Sequence, residues 1–264
     1  MTTPTSMLAP RSPHPGSAKV DALTARTAGL GTPRWPFISR RSTERPQHAR
    51  LLLRPDGILG YADEREEDRD TEGGLWARIT SDPTGGGTVK NALPHYYRQR
   101  HLMRELLCQV CAGAPARHRD GGFLFVLPDG PKMPSGLDME GVREATPPVC
   151  LRCADASAAG CPRLRRCVAL WVRRPVLYGV HGLTYRLVPS GLQVAGPGMA
   201  AYETPALGGM VATQMVRRLN HVSVDRELTA HLRALGRAPA IPPLPERQNH
   251  LSGTPHQSAT PPRP

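Results

Sequence analysis

The apolar residues between positions 34 and 91 come in short runs separated by turn residues, a pattern typical of β-strands. Leu51–Leu53 and the return run Ile58–Ala62 flank a Pro-Asp-Gly turn, which predicts a β-hairpin. A further short strand is predicted in "GGLWARI". The glycine-rich loop after it lacks the Gly-Lys-Ser/Thr ending of a phosphate-binding loop. We therefore expect a β-rich N-terminal segment over 34–91.

The apolar spacing then changes to that of an amphipathic helix. In "LPHYYRQRHLMRELL", Tyr96 and Met103 share one side with Leu106–Leu107, which predicts a helix over His95–Leu107. A basic stripe of this kind is usually a solvated face, but here it leads directly into a pair of cysteines. The basic residues of the stripe are Arg98, His101 and Arg104, with Arg100 alongside.

The region over 168–236 is predicted to contain strands and then helices. "VALWVRR", "VLYGVHG", "LTYRLVP" and "LQVAG" are β-rich and separated by Gly or Pro, which predicts four short strands with His181 in a turn. "ALGGMVATQMVRRLNHV" has a helical apolar pattern. "DRELTAHLRAL" predicts a second helix, with Asp225 as its N-cap.

The two ends of the chain, 1–33 and 237–264, are rich in Pro, Thr, Ser, Ala and Gly, which predicts disordered tails. Over the whole chain Pro and Gly are abundant and aromatic residues make up only 5%. The core is therefore lean, and a metal cross-link would contribute to stability. We expect a cytoplasmic protein, because neither a signal peptide nor an apolar run of about 18 residues is recognisable.

Four of the six cysteines form two Cys-x-x-Cys pairs, in "LCQVC" and "VCLRC". Two intervening residues let both thiolates of a pair reach one tetrahedral ion at about 2.3 Å, and two pairs fill its four positions. In a reducing compartment such pairs are metal ligands more often than disulfides. We therefore predict one structural Zn²⁺ site, with an iron–sulfur cluster as the alternative. The expected ligands are Cys108, Cys111, Cys150 and Cys153.

The segment 92–167 is expected to form a zinc-binding module. A cysteine knuckle, the apolar strand "GGFLFVL" and a second cysteine pair that enters an Ala-rich helix follow one another, and this order resembles a treble-clef zinc finger. The resemblance implies binding to DNA, RNA or protein. Some treble clefs are nucleases, but the His-Asn-His arrangement of those enzymes is missing here, which argues against nuclease activity.

The other two cysteines, Cys161 and Cys167, are five residues apart, a spacing that does not match a knuckle. We expect both to be small buried residues. Two alternatives stay open: Cys161 replaces a zinc ligand, or the two cysteines form a second site with His118 or His181.

These patterns together predict an α+β fold. A small treble-clef-like zinc module is expected to join short antiparallel strands and C-terminal helices, with disordered tails at both ends.

Several runs, among them "ILGYADE", "RQRHLMRELLCQVC", "PPVCLRC" and "YGVHG", resemble an uncharacterised group of Streptomyces-type actinomycete Cys-x-x-Cys proteins, some of them on mobile or phage-like elements. The resemblance covers roughly residues 50–220. It implies that this region is one folded unit, and it brings no assigned activity.

The chain has a net charge of +12, and its basic residues are nearly all arginine. A high-GC genome favours arginine, so the distribution of charge is more informative than its sum. Residues 95–180 carry +6 and residues 51–94 carry −4. Positive charge on the cysteine module favours a nucleic-acid partner. The candidate phosphate contacts are Arg98, Arg100, Arg104, Arg163, Arg165 and Arg166.

The segment "DEREEDRDTEGG" over 63–74 is dense in carboxylates, which could bind a hard metal ion or act as acid and base. Because arginines alternate with them, a solvated loop or an intramolecular partner for arginines is the favoured interpretation.

Three classes of function follow. The favoured one is a zinc-stabilised nucleic-acid-binding or regulatory protein, with DNA favoured over RNA. A protein-interaction adaptor that uses the β-rich C-terminal part is the alternative. An enzyme that uses the 63–72 carboxylates, such as a nuclease, is the least favoured class, and no catalytic residue is assigned.

Overall fold

The structure is a computed structural model that describes residues 35–128 and 139–237. Within these ranges the chain has an α+β fold, as predicted. The predicted tails lie outside the described residues, except that the last helix continues through Arg237. Also within these ranges, no helix is long and apolar enough to span a membrane.

Ten strands and three α-helices make up the described fold. The strands are β1 (Ser39–Arg41), β2 (Leu51–Leu53), β3 (Leu59–Tyr61), β4 (Leu75–Trp76), β5 (Val89–Pro94), β6 (Phe123–Pro128), β7 (Arg143–Glu144), β8 (Cys167–Val188), β9 (Gly191–Ala201) and β10 (Met210–Asp225). The helices are α1 (Tyr96–Glu105), α2 (Leu151–Gly160) and α3 (Arg226–Arg237). Short 3-10 turns occupy Glu66–Asp68, Pro162–Leu164 and Pro205–Gly209.

A six-stranded sheet forms the centre of the fold, in the order β4-β10-β8-β6, with β7 paired to β10 and β9 paired to β8. Only the β4–β10 pair is parallel among these described strands. Strands β8 and β10 pair along most of their length, while β6 pairs with the first part of β8 and β9 with the last part. Two small antiparallel pairs, β1–β5 and β2–β3, complete the β structure.

The predicted N-terminal hairpin is confirmed by β2 and β3, in which Leu51 lies opposite Tyr61. The turn between them contains Gly57 at φ +79°, in the left-handed region that glycine adopts without a steric penalty. The three-residue strands bury Leu59 and Tyr61 against the central sheet, in a cluster that also contains Leu75. The hairpin therefore belongs to the same folded unit as the sheet.

The prediction of several short strands after residue 168 is wrong for its first three members, which form the single 22-residue strand β8. The glycines inside β8 do not end the strand. A Cβ atom at Gly179 would collide with the carbonyl oxygen of Ala200, and one at Gly182 with that of Val211. Here glycine permits a close approach of the neighbouring strands. His181 accordingly lies within a strand rather than in a turn.

The prediction of a helix in "ALGGMVATQMVRRLNHV" is also wrong, because this segment forms β10. Strand β10 has β8 on one edge and β4 and β7 on the other, and side chains from both of its faces are buried. Adjacent residues such as Met215 and Val216 are therefore both apolar. A strand buried on both faces loses the alternating pattern, so its apolar spacing can imitate a helix.

Two of the three described α-helices begin after a residue whose side chain accepts a hydrogen bond from an amide of the first turn. The Oδ1 atom of Asp225 accepts a 2.8 Å hydrogen bond from the amide of Leu228, which confirms the predicted cap of α3. Helix α1 is capped by the His95 ring, which accepts from the amide of Arg98. Burial lowers the pKa of His95 to about 4, so its ring is neutral near pH 7 and can accept this bond.

Side chains alternate between the two faces of the β6–β8 pair and contribute to two different cores. One core contains Leu124, Ala169 and Leu232 together with the buried cysteines Cys108 and Cys153. The opposite core is built from larger residues: Phe125, Leu127, Leu170, Val172 and Leu219. The cysteine module is thus packed on one face of the central sheet.

Candidate metal centre and basic surface

The four predicted ligands, Cys108, Cys111, Cys150 and Cys153, come together in one cluster, with all four Sγ atoms within 4.8 Å of one another. Two ligands at about 2.3 Å from a tetrahedral ion are roughly 3.8 Å apart. The Sγ atom of Cys150 lies 3.9 Å from that of Cys108 and 4.0 Å from that of Cys111. These spacings fit a tetrahedral thiolate site, and all four cysteines are free of disulfides.

The first cysteine pair lies in a tight backbone turn. Cys108 donates its amide to the carbonyl of Gly113 and accepts from the amide of Ala112, both at 2.8 Å. Ala112 has a φ of +58°, which lets the chain turn back toward the first thiol. The amide of Phe37 also donates to the carbonyl of Val110 at 2.9 Å, so the N-terminal segment is fastened to this turn.

The second cysteine pair lies at the start of α2. Val149 donates its amide to the carbonyl of Leu124 in β6, which places the next residue, Cys150, at the N-cap position of the helix. The Cys150 amide points to the Sγ atom of Cys108 at 3.4 Å. Cys153 lies in the first turn and is fully buried. The helix N-terminus carries a partial positive charge, which favours thiolates at this point.

Burial and the neighbouring cysteines together shift the pKa values of these thiols. Burial raises the pKa of Cys108 to about 11 and, together with the neighbouring Cys108, raises the pKa of Cys153. Burial also acts to raise the pKa of Cys150, but hydrogen bonds from Cys153 and the other cysteines lower it overall. A divalent ion would remove the thiol protons and balance the clustered negative charge. The donor set of four thiols fits such an ion.

Cys161 and Cys167 do not belong to this cluster, nor to any other group of three potential ligands in the described ranges. Cys167 is buried in the same core as the cluster, as predicted. Cys161 is half-exposed at the C-terminal end of α2, so the expectation of burial is wrong for it. His118, a suggested second ligand, instead contacts Asp120, with 2.6 Å between Nδ1 and Oδ1.

Arg98 of α1 does not lie on a solvated basic stripe. Its guanidinium donates two hydrogen bonds to the carboxylate of Glu44, at 2.6 and 2.7 Å, and one to the carbonyl of Ser39. Both charged side chains are buried. Burial alone would raise the pKa of Glu44, but the bonds and charge of Arg98 hold it below its ordinary value. Arg98 is therefore an internal anchor, which corrects its assignment as a phosphate contact.

The other two arginines of α1 are also engaged within the protein. Arg104 donates to Glu72 at 2.6 Å and to the hydroxyl of Thr71 at 2.8 Å. The guanidinium carbon of Arg100 lies 4.8 Å from the ring centroid of Trp76 and 5.5 Å from that of Tyr97. Helix α1 thus uses its predicted basic residues to hold the N-terminal segment against the sheet.

The acidic segment is chiefly a partner for arginines. Arg78 donates to both oxygens of Asp68, at 2.9 and 2.6 Å, and to Asp63 at 2.9 Å. Arg69 and Glu64 form a further pair at 2.7 Å. These ion pairs agree with the interpretation of the acidic segment as an intramolecular partner for arginines.

One carboxylate of this segment organises a buried polar cluster that the sequence did not reveal. Asp70 accepts hydrogen bonds from the indole of Trp76 at 2.9 Å, the amide of Gly74 at 2.7 Å and the hydroxyl of Tyr202 at 3.0 Å. Tyr202 is 132 residues away along the chain, so no local pattern could have paired them.

The remaining predicted arginines are exposed. Arg163, Arg165 and Arg166 lie on and just after the 3-10 turn that joins α2 to β8. The last turn of α3 packs beside them, as the close approach of Gly236 shows. A Cβ atom at Gly236 would be 3.1 Å from the Cα atom of Arg165. This contact adds the exposed Arg237 to the same surface. We call these four residues the Arg165 cluster. A basic residue in the last helical turn is the signal that could have identified Arg237.

Comparison with known proteins adds no assignment. The sequence matches no protein-family model, and no curated protein or solved structure is significantly similar to it. Its function is therefore inferred from the cysteine cluster and the charged surface beside it.

Proposed function

We propose that the protein is a zinc-stabilised nucleic-acid-binding protein with a regulatory role, and that its cysteine centre is a treble-clef-type site. Four thiolates fill a tetrahedral shell, which leaves no position for water or substrate, so the ion has a structural role. DNA is the favoured ligand.

The Arg165 cluster is the observation that carries this proposal. The ligand Cys150 is the N-cap of α2 and the ligand Cys153 lies in its first turn, while the turn with Arg163 begins at Pro162, two residues after the last residue of the helix. A metal ion that fixes α2 thereby also fixes the base of this turn. Exposed guanidinium groups held on a rigid base bind phosphate by charge-assisted hydrogen bonds.

A salt titration tests the proposal. We expect wild-type protein to bind duplex DNA with an affinity that falls steeply with salt, and the triple variant Arg163→Ala/Arg165→Ala/Arg166→Ala to lose about 0.9 of the log–log slope per lost contact. The matched control changes three exposed arginines elsewhere to alanine: Arg50, Arg186 and Arg218. It removes the same charge and should retain the wild-type slope. Equal slopes for the two variants would contradict the proposal.

A protein-interaction adaptor is the second candidate, and one observation favours it. The β8–β9 hairpin exposes large apolar side chains, with Leu187 64%, Val194 54% and Met199 41% exposed. Exposed apolar groups of this size, when they are contiguous, mark protein-binding surfaces. If wild-type protein binds neither DNA nor RNA at low ionic strength, the adaptor function replaces nucleic-acid binding.

A further inference from the structure

We infer that two copies of this chain associate through the outer edge of strand β9, with the two β9 strands paired antiparallel about a two-fold axis. The inference goes beyond the proposed function and does not depend on nucleic-acid binding. The contact uses the backbone edge over 191–194 and the apolar side chains of Leu187, Leu192 and Val194. We call this region the β9 surface.

The outer edge of β9 is unpaired, whereas the strand that shares its side of β8 is covered. Strand β10 occupies one edge of β8, so β6 and β9 both lie on the other edge, one after the other. The outer edge of β6 is bound to the cysteine module, where Leu124 donates to the carbonyl of Ala116 at 3.1 Å and accepts from the amide of Val149 at 2.9 Å. In the described part of the chain no strand pairs with the outer edge of β9. This edge can therefore accept another strand.

Apolar side chains lie next to this edge on one face of the β8–β9 hairpin. Leu187 lies opposite Leu192, and Tyr185 lies opposite Val194. Side chains two residues apart in a strand share a face, so these four lie on the same side of the hairpin. Leu192 and Tyr185 pack in one cluster with Leu51 of β2, while Leu187 and Val194 are exposed. The exposed pair thus extends a packed apolar cluster to the free edge.

The open part of the edge ends after Val194. The register between β8 and β9 shifts there, so that Ala195 is the extra residue of a bulge, and Gly196 follows with a φ of +141°. Pro197 then lacks the N–H group that a further strand would need. Bulges and prolines protect an edge strand against pairing, so the stretch over 191–194 is the part left open.

The β9 surface carries no charge, which allows two basic chains to meet there. The sequence from Leu187 to Tyr202 contains no charged side chain, although the chain has a net charge of +12. Arg186 lies on β8 opposite Gln193. When two β9 strands pair, the two copies of Arg186 are separated by three strand spacings, roughly 14 Å. This separation exceeds the Debye length of about 8 Å at physiological salt, so their repulsion is largely screened.

A second copy suits this surface because the surface is complementary to itself. Edge strands that stay unpaired are commonly protected by charged side chains, and β9 has none. Antiparallel pairing about a two-fold axis brings Leu192 of one copy beside Val194 of the other, so the apolar face continues across the contact. The pairing also uses both free edges, which closes the assembly at two copies.

Sedimentation equilibrium of nuclease-treated protein tests the inference. Over a range of about 1 to 100 μM, which spans micromolar dissociation constants, we expect the wild-type mass to rise toward twice the 28.7 kDa of one chain. Val194→Lys should weaken this association by roughly tenfold or more, because it removes apolar burial from both copies and brings two like charges together. Leu93→Lys is the matched control, since Leu93 is an exposed apolar residue on β5, and it should associate like wild-type protein.

Two further measurements locate the contact. In hydrogen–deuterium exchange, the amides over 191–194 should become more protected as the protein concentration rises, whereas those of β5 should not change. Added salt should strengthen the association or leave it unchanged, because it screens the repulsion between two like-charged chains. Association through bound nucleic acid would weaken with salt instead, so this response separates the two causes.

A wild-type protein that stays monomeric over the whole concentration range refutes the inference. A dimer that Val194→Lys leaves intact, or growth beyond two copies, refutes the β9 contact. If Val194→Lys is unfolded, Leu187→Lys takes its place with the same expected loss. The Arg163 triple variant should dimerise like wild-type protein, so a dimer that binds no DNA supports this inference and overturns only the proposed function.

Discussion

Helix α1 and the turn after α2 each present three arginines in a short stretch of sequence, yet they use them in opposite ways. On α1, Arg98 is buried against Glu44 and Arg104 is paired with Glu72. After α2, Arg163 and its neighbours are exposed. The difference arises from the neighbouring elements. Helix α1 packs against the N-terminal segment, which supplies Glu44 and Glu72. The turn after α2 packs against the last turn of α3, which ends in Arg237. Arginine spacing alone therefore does not identify a phosphate-binding surface.

The largest expected effect comes from disrupting the proposed metal centre, which would hold the α2 side of this comparison in place. We expect Cys150→Ser to lose the bound metal and to unfold the cysteine module, because structural zinc contributes on the order of 10 kcal/mol in zinc-finger peptides. Elemental analysis and thermal unfolding with and without chelator measure this effect. Cys161→Ser is the control and should keep both metal and fold, since Cys161 lies outside the cluster. A folded wild-type protein without metal would rule out the zinc centre.

The next test breaks the buried pair on α1. Arg98→Ala leaves the Glu44 carboxylate buried without its partner, and we expect the free energy of unfolding to fall by roughly 3 to 5 kcal/mol. Arg163→Ala, which removes an exposed arginine, should leave it nearly unchanged. Urea unfolding of the two variants measures the difference directly. Similar unfolding midpoints would show that the two arginines do not differ as described.

The same pair predicts a pH dependence. The pKa of Glu44 is lower in the folded protein than its ordinary value of 4.5. The stabilisation is therefore complete above pH 4.5 and is lost as the pH falls through the lower folded-state pKa, because the unfolded state then binds more protons. In Glu44→Gln this acid-side loss should be smaller than in wild-type protein. Urea unfolding in a pH series below 6 measures it.

The smallest effect is expected at the exposed edge of α1. Arg104 and Glu72 form a close ion pair, but their side chains are 29% and 24% exposed. We expect the coupling between them to be under about 1 kcal/mol and to weaken with added salt. A double-mutant cycle of Arg104→Ala and Glu72→Ala, at low and high salt, gives this coupling. A large, salt-independent coupling would mean that this pair behaves like the buried one.

Local chemistry was sufficient to predict the parts of the fold whose cause lies within a few residues. The paired cysteines, the Pro-Asp-Gly turn after β2 and the cap at Asp225 each depend on near neighbours in the chain. These features could therefore be predicted from the sequence, and so could the identity of all four members of the cysteine cluster.

The tertiary structure alone decided the features that depend on distant neighbours. Strand β10 imitates a helix in sequence because both of its faces are buried, and burial is set by strands and side chains far away along the chain. Arg98 and Arg163 both lie among other arginines in the sequence. Arg98 is an internal anchor only because the fold places Glu44, 54 residues away along the chain, against its guanidinium. The sequence by itself thus determined the four members of the cysteine cluster. Which charges remain on the surface was determined by packing, because an ion pair forms where the fold brings opposite charges together.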